Sequence, residues 1–212
     1  MQFQQPLNRI LNSEVKVRLL RFLCRKGGEW NGRRIAVELA VHPTTAHNAL
    51  RELRQATILE FRKVGNSFVY SLRDEHDLVR ECLRPLFQRE ARVQERLREL
   101  LRQGVDTKPR SAVVTAAIYG SVARRQERPT SDIDLLVLVR SNAVKPQVRQ
   151  TLDRLAERVQ RVFGNSLALY INTVREAQQK VRRGLPVFQN ILKEHQVICG
   201  KPLEEVLHGR PA

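Results

Sequence analysis

The stretch IYGSVARRQERPTSDIDLLVLV, residues 118–139, decides how the second half of this 212-residue chain folds. Its Gly120-Ser121 pair follows an apolar, β-branched run at 111–119, which predicts a buried strand ending in a tight turn. A short helix is predicted at 122–126. Backbone N–H groups and the Ser121 hydroxyl would then lie at a positive helix end, which suits a phosphate.

Two carboxylates open the next apolar run. Asp132 and Asp134 come directly before the five aliphatic residues at 135–139. Residues two apart on a strand point to the same side, so the carboxylates would lie side by side while Ile133 faces the core. Paired carboxylates repel each other unless a divalent cation joins them. The pattern therefore predicts a Mg²⁺ site at the head of a buried strand.

Together, the segments 119–121 and 131–135 resemble the signature of the polymerase-beta-like nucleotidyltransferases, especially their minimal nucleotidyltransferase branch. The resemblance is strongest over 113–139. It implies a small mixed sheet flanked by helices, a nucleoside triphosphate held through Mg²⁺, and transfer of a nucleotidyl group to an acceptor.

The resemblance also implies roles for individual residues. Gly120 and Ser121 would hold the β- and γ-phosphates, and Asp132 and Asp134 would be the metal ligands of the catalytic site. Arg124 would reach a phosphate or the acceptor.

One feature of the family pattern is missing. Catalytic members usually carry a third carboxylate on a later strand, where it acts as a general base or completes a second metal site. The matching segment, 166–172, contains no acid; Glu176 follows it, and Asp153 and Glu157 lie on the preceding predicted helix. A regulator that binds NTP and an active Mg²⁺-dependent nucleotidyltransferase therefore both remain as hypotheses. In a third, the domain is the antitoxin-like partner of a separate toxin.

The first segment has the pattern of three helices and a hairpin. Ser13 is a predicted N-cap for a helix at 13–25, Asn31 caps a second helix, and Pro43 opens a third. Two short runs of period two then flank Gly65-Asn66. This order resembles the winged helix-turn-helix of bacterial and archaeal transcription regulators.

In such a fold the third helix enters the major groove of double-stranded DNA, and the tip of the hairpin would lie against the backbone or the minor groove. Arg62 and Lys63 on the hairpin would neutralise phosphates. The alternative is a winged helix used only for protein contact. The candidate base-reading residues on the third helix are Thr44, Thr45, His47, Asn48 and Arg51.

The composition agrees with a polyanionic partner. Lys and Arg number 38 against 22 Asp and Glu, so the formal net charge is +16. No apolar run is long enough to span a membrane and the first residues are too polar for a secretory signal, which predicts a cytoplasmic location. The three cysteines are isolated in sequence and are expected to be buried and reduced.

The predicted fold class is α+β, with a winged helix at 1–75, a connecting helical segment at 76–104 and a nucleotidyltransferase-like domain at 105–212. The connecting segment carries a narrow apolar stripe that would pack on its own domains or on the same helix of a second subunit; the latter predicts a homodimer. A domain boundary is predicted at 104–110. The stripe consists of Leu86, Val93, Leu97, Leu100 and Leu101.

Overall fold

The computed structural model describes residues 3–105 and 112–208. The chain divides into two compact units, residues 1–93 and 94–212. Each unit has its own sheet and apolar core, and the fold is α+β as predicted. Within the described residues, no helix combines the length and apolar character needed to cross a membrane.

Short amphipathic helices build most of the first unit. The Ser13 hydroxyl accepts a hydrogen bond from the Lys16 N–H, and the Asn31 side chain accepts one from the Arg34 N–H, which confirms both predicted caps. Pro43 is the first residue of its helix, where no N–H is needed. The helices are α1 (Leu7–Ile10), α2 (Glu14–Lys26), α3 (Gly32–Glu38) and α4 (Pro43–Gln55).

A three-stranded antiparallel sheet completes this unit. Its strands are β1 (Trp30–Asn31), β2 (Leu59–Val64) and β3 (Ser67–Leu72), in the order β1-β3-β2. The hairpin of β2 and β3 turns at Gly65, whose φ is +57°, as the sequence predicts. Strand β1 was not predicted, because two residues are too short to show a period of two. It is defined only by its pairing with β3.

The connecting segment is not one continuous stripe. It consists of a π-helical turn (Leu78–Leu83), α5 (Arg84–Ala91) and α6 (Val93–Val105), with a turn at Arg92 that breaks the helical register. Val79, Leu83 and Phe87 join the core of the first unit, and Leu97 and Leu101 join a core of the second. Leu86 and Val93 remain exposed. Of the predicted boundary at 104–110, residues 106–110 lie outside the described residues.

The second unit is a four-stranded mixed sheet of order β6-β5-β4-β7. Strands β5 and β6 are parallel, and β4 runs antiparallel to both β5 and β7. Helices α6 and α8 pack on one face, and α9, α10 and α11 on the other. The elements are β4 (Val113–Tyr119), α7 (Gly120–Arg124), β5 (Ile133–Val139), α8 (Lys145–Phe163), β6 (Leu167–Thr173), α9 (Val174–Arg182), α10 (Pro186–Lys193), β7 (His195–Gly200) and α11 (Leu203–His208).

None of the three cysteines forms a disulfide within the described part of the chain, and their predicted burial is only partly correct. Cys24 and Cys199 are partly buried, and burial raises the pKa of the Cys24 thiol to about 11. Cys82 is exposed, because it lies on the solvent side of the π-helical turn that buries Val79 and Leu83.

Candidate functional site

The turn from β4 into α7 brings the two halves of the motif into contact. Gly120 has φ of +72°, a left-handed conformation that favours glycine. A Cβ at this position would overlap the Asp134 Oδ2 atom and lie 3.2 Å from Asp134 Cγ. Glycine is therefore required here both by the backbone conformation and by the close approach of a carboxylate.

The two carboxylates lie where β5 begins. Asp132 is exposed and directly precedes the strand, whereas Asp134 is its second residue and is half-buried. Burial raises the pKa of the Asp134 carboxyl, the negative charge of Asp132 raises it further, and Arg124 lowers it. The geometry is thus a partly desolvated pair of like charges, which a divalent cation would stabilise.

Strand pairing places Asp134 in a row across one face of the sheet. Asp134 pairs with Tyr119 of β4 and Ala168 of β6, and Tyr119 pairs in turn with His195 of β7. Burial raises the pKa of the Tyr119 hydroxyl to about 12, and the negative charge of Asp134 adds to this shift. No role for Tyr119 or His195 could be predicted from the sequence, because only the strand register shows that they share this row.

Strand β6 contributes no acid to the face that carries Asp134. Its residues on that side are Ala168, Tyr170 and Asn172. Instead of a carboxylate there is a cation: the Lys180 ammonium donates hydrogen bonds to Tyr170 Oη at 3.0 Å and Asn172 Oδ1 at 2.6 Å. Throughout the described part of the chain, no three His, Cys, Asp or Glu side chains form a group that could hold a metal ion.

The other acids near β6 are engaged elsewhere. Glu176 accepts from Lys145 Nζ at 2.6 Å and closes the capping box of α9 with Thr173, while Asp153 pairs with Arg149. None of them replaces the missing third carboxylate. Arg124 is the last residue of α7, and its Nη1 atom lies 3.4 Å from Glu194 Oε2. The Arg124 guanidinium also lowers the pKa of the Asp134 carboxyl.

Helix α4 presents its predicted polar face to solvent. Glu52, the one acid on this helix, is paired with Lys16 Nζ at 2.7 Å, and the Lys16 side chain is only 4% exposed. This pairing offsets the only negative charge on the helix. The exposed side chains include all five predicted base readers, Thr44, Thr45, His47, Asn48 and Arg51.

The two predicted phosphate contacts on the hairpin differ in their surroundings. Arg62 makes a two-pronged ion pair with Glu29, with N–O distances of 2.6 and 2.5 Å. Lys63 is exposed on the other side of the strand. Arg62 is therefore already partly neutralised, which the sequence did not indicate because Glu29 lies far away in the chain.

The second unit thus belongs to the class of α+β domains that end a strand in a glycine-serine turn beside paired carboxylates on the neighbouring strand. Residues 105–202 match the family model described as Polymerase beta, Nucleotidyltransferase. This segment is a nucleotidyltransferase domain of that type, attached to a winged helix in the first unit.

Several solved structures resemble parts of the chain. A homodimeric winged helix-turn-helix DNA-binding domain from Mycobacterium bovis, described as a possible ArsR-family transcriptional regulator, is 22% identical over 44% of this chain and 81% of that chain, with a TM-score of 0.34. The AntR antimony-specific transcriptional repressor is 22% identical over 44% and 78%, with a TM-score of 0.36. A toxin–antitoxin complex with AMP-PNP is 16% identical over 54% and 79%, with a TM-score of 0.33. None of the curated proteins matches the sequence.

Proposed function

We propose that this protein is a DNA-binding transcriptional regulator whose nucleotidyltransferase domain binds a nucleoside triphosphate together with Mg²⁺. The observation that carries the proposal is the contact between Gly120 and the Asp134 carboxylate, beside Asp132. Because residue 120 has no side chain, the Asp134 carboxylate can lie directly against the turn whose N–H groups would hold the phosphates.

The donor set fits Mg²⁺. Asp132 and Asp134 offer carboxylate oxygens, which this hard cation prefers, and their mutual repulsion favours its binding. When bound, the ion would neutralise phosphate charge. Ser121 and the N–H groups at the start of α7 would donate hydrogen bonds to the phosphates, and Arg124 would add a positive charge near them.

Binding is proposed ahead of transfer. The face of β6 beside Asp134 holds Ala168, Tyr170 and a lysine-bound amide, so this strand offers no carboxylate there to act as a general base. The family match keeps the active transferase as the second candidate, since two carboxylates of the signature are present.

The test measures binding and transfer in the same preparation. Wild-type protein is titrated with each of the four ribonucleoside triphosphates, with and without Mg²⁺, by calorimetry, and then incubated with α-labelled NTP. We expect Mg²⁺-dependent binding that Asp132→Asn with Asp134→Asn abolishes, and no label on protein or nucleic acid. Asp153→Asn, on the exposed face of α8, is the matched control and should bind normally. Absence of binding would refute the proposal, and label transfer lost in the double variant would establish the transferase.

The DNA-binding part is supported by the exposed face of α4 and by the excess of cations. Duplex affinity should fall steeply with salt, because each neutralised phosphate releases counterions. Thr45→Ala with Asn48→Ala should reduce discrimination between duplex sequences, whereas Arg158→Ala on α8 should leave it unchanged. Salt-independent or undetectable duplex binding would contradict this part.

A further inference from the structure

A second cleft lies at the other end of the sheet from Asp134. Strands β5 and β6 run parallel, and their carboxyl ends meet where Val139 pairs with Thr173. Asp134 is near the amino end of β5, so at about 3.3 Å per residue the two ends are about 16 Å apart. The cleft has a volume of about 930 Å³. This volume lies within the range of small-molecule sites, and the carboxyl ends of parallel strands are a common place for them.

Cations from three different parts of the second unit line this cleft. Arg140 follows β5, Arg175 is the second residue of α9, and Lys201 follows β7. We call the space between these three residues the carboxyl-end cleft. Both arginines are exposed, and within the described residues neither side chain has an ion pair or a hydrogen bond.

The acids that line the carboxyl-end cleft, among the described residues, are Glu176 and Glu205, and both are engaged. Glu176 accepts hydrogen bonds from Lys145 Nζ and closes the capping box of α9. Glu205 is paired with Lys201 at 3.0 Å. These ion pairs balance their own charges, so the charges of Arg140 and Arg175 remain uncompensated in the cleft.

The lining indicates the chemistry of a ligand. A guanidinium group offers a planar fork of N–H donors that matches the oxygens of a phosphate. Ser141, Asn142 and Gln179 add hydroxyl and amide groups, which can hydrogen-bond the polar remainder of a small molecule. A wholly apolar ligand would have to desolvate the two arginines without giving them a partner.

We propose that the carboxyl-end cleft binds a small phosphorylated molecule, with Arg140 and Arg175 holding its phosphate. The site is separate from Asp132 and Asp134 and needs no Mg²⁺, because its positive charges belong to the protein. The phosphate belongs either to a nucleotide or to a free oligophosphate, which share this chemistry. The inference goes beyond the proposed function and does not depend on it.

The experiment isolates the carboxyl-end cleft from the Asp134 site. The full chain carrying Asp132→Asn with Asp134→Asn is titrated by calorimetry in EDTA with adenosine 5′-monophosphate, inorganic pyrophosphate and adenosine, all at one ionic strength. We expect binding of a phosphate compound and none of adenosine. Tighter binding of the monophosphate would identify a nucleotide as the source of the phosphate, and tighter binding of pyrophosphate would identify an oligophosphate.

Further substitutions in this background locate the binding. Arg140→Gln with Arg175→Gln should weaken it about ten-fold or more, because charge-assisted hydrogen bonds are lost. The matched control is Arg154→Gln with Arg158→Gln, which removes two exposed arginines of α8 outside the cleft and should leave the affinity unchanged. Thermal unfolding of each variant checks the fold.

Glu205→Gln gives a change in the opposite direction. It removes a negative charge from the carboxyl-end cleft and releases Lys201, so it should tighten phosphate binding about three-fold. A gain of affinity cannot result from a damaged fold. Unchanged or weaker binding by a folded Glu205→Gln variant would contradict the proposed arrangement of charges.

The outcomes keep this inference apart from the proposed function. Equal losses in the two arginine double variants would mean that phosphate responds only to the net charge of the chain, and the inference would be refuted. Absence of binding by both phosphate compounds, or equal binding of adenosine, would also overturn it. The proposed function is tested by Mg²⁺-dependent binding to the wild type, so either one can fail while the other stands.

Discussion

The Asp134 carboxylate occupies the space that a side chain at residue 120 would need. We predict that Gly120→Ala destabilises the second unit by more than the cost of a left-handed backbone, which is about 1–2 kcal/mol. Gly164→Ala is the control, because Gly164 has φ of +80° and, among the described residues, no heavy atom beyond its two chain neighbours lies within 4 Å of the position that a Cβ would take there. Urea unfolding of both variants measures the difference.

The excess cost of Gly120→Ala should fall when Asp134 is also changed to Ala, since the overlapping carboxylate is then absent. A cost equal to that of Gly164→Ala in both backgrounds would contradict the close approach.

Asp134→Asn should stabilise the metal-free protein at neutral pH. The pKa of Asp134 is raised in the folded state by burial and by Asp132, so its charged form costs folding free energy. Below the ordinary pKa of 3.8 the carboxyl is protonated in the folded and the unfolded state, and the wild type loses no stability to it. The loss of stability grows as pH rises through the folded pKa. Denaturation curves from pH 3 to pH 7, in steps of about one pH unit, test whether the stability advantage of Asp134→Asn over the wild type increases with pH.

Mg²⁺ should reverse the order of stability. An ion present at about 100 times its Kd would stabilise the wild type by about 2.7 kcal/mol and leave Asp134→Asn unchanged. Equal metal-induced shifts in melting temperature for both proteins would show that the ion binds elsewhere.

Ala168→Asp should create the third carboxylate that β6 lacks. Ala168 pairs in register with Asp134 in the parallel β5–β6 ladder, so the new side chain would lie on the same face. We expect lower stability without metal, tighter Mg²⁺ binding and a gain of nucleotidyl transfer from labelled NTP. Ala168→Asn, which has the same shape without the charge, should show none of these gains.

Glu52 forms an ion pair with the buried Lys16 ammonium, and the contribution of this ion pair to stability should depend on pH. Lys16 lowers the pKa of Glu52, so the pair stabilises the fold above the ordinary value of 4.5 and loses that contribution as pH falls through the folded pKa. Glu52→Gln should cost about 1–2 kcal/mol at neutral pH, because the half-exposed partner is partly screened by solvent.

Lys16→Met is expected to cost less than Glu52→Gln, since it removes the buried charge instead of leaving it without its partner. The difference in unfolding free energy between wild type and Glu52→Gln should narrow as pH falls below 4.5 and close once pH is below the folded pKa of Glu52. A pH-independent gap would mean that the carboxylate charge does not matter.

Much of the fold could be predicted because its signals are local. Ser13, Asn31 and Thr173 cap helices within three residues of themselves, and Pro43 and Gly65 act on the backbone at their own positions. Gly120-Ser121 and Asp132-Ile133-Asp134 are short motifs that mark strand ends. The connecting segment was harder to predict, because a turn at the single residue Arg92 separates it into two parts that pack in different cores.

Apart from β1 and the division of the connecting segment, the sequence by itself therefore determined the order of helices and strands, the caps at Ser13, Asn31 and Thr173, and the pairing of a glycine-serine turn with two carboxylates. Only the tertiary structure decided that Ala168 lies beside Asp134, that Glu29 neutralises Arg62, and that Phe61 and Phe68 extend past the core. The physical reason is the sequence separation between the residues that interact. Caps and turns are set by neighbours in the chain, whereas strand register, ion pairs and burial join residues that only folding brings together.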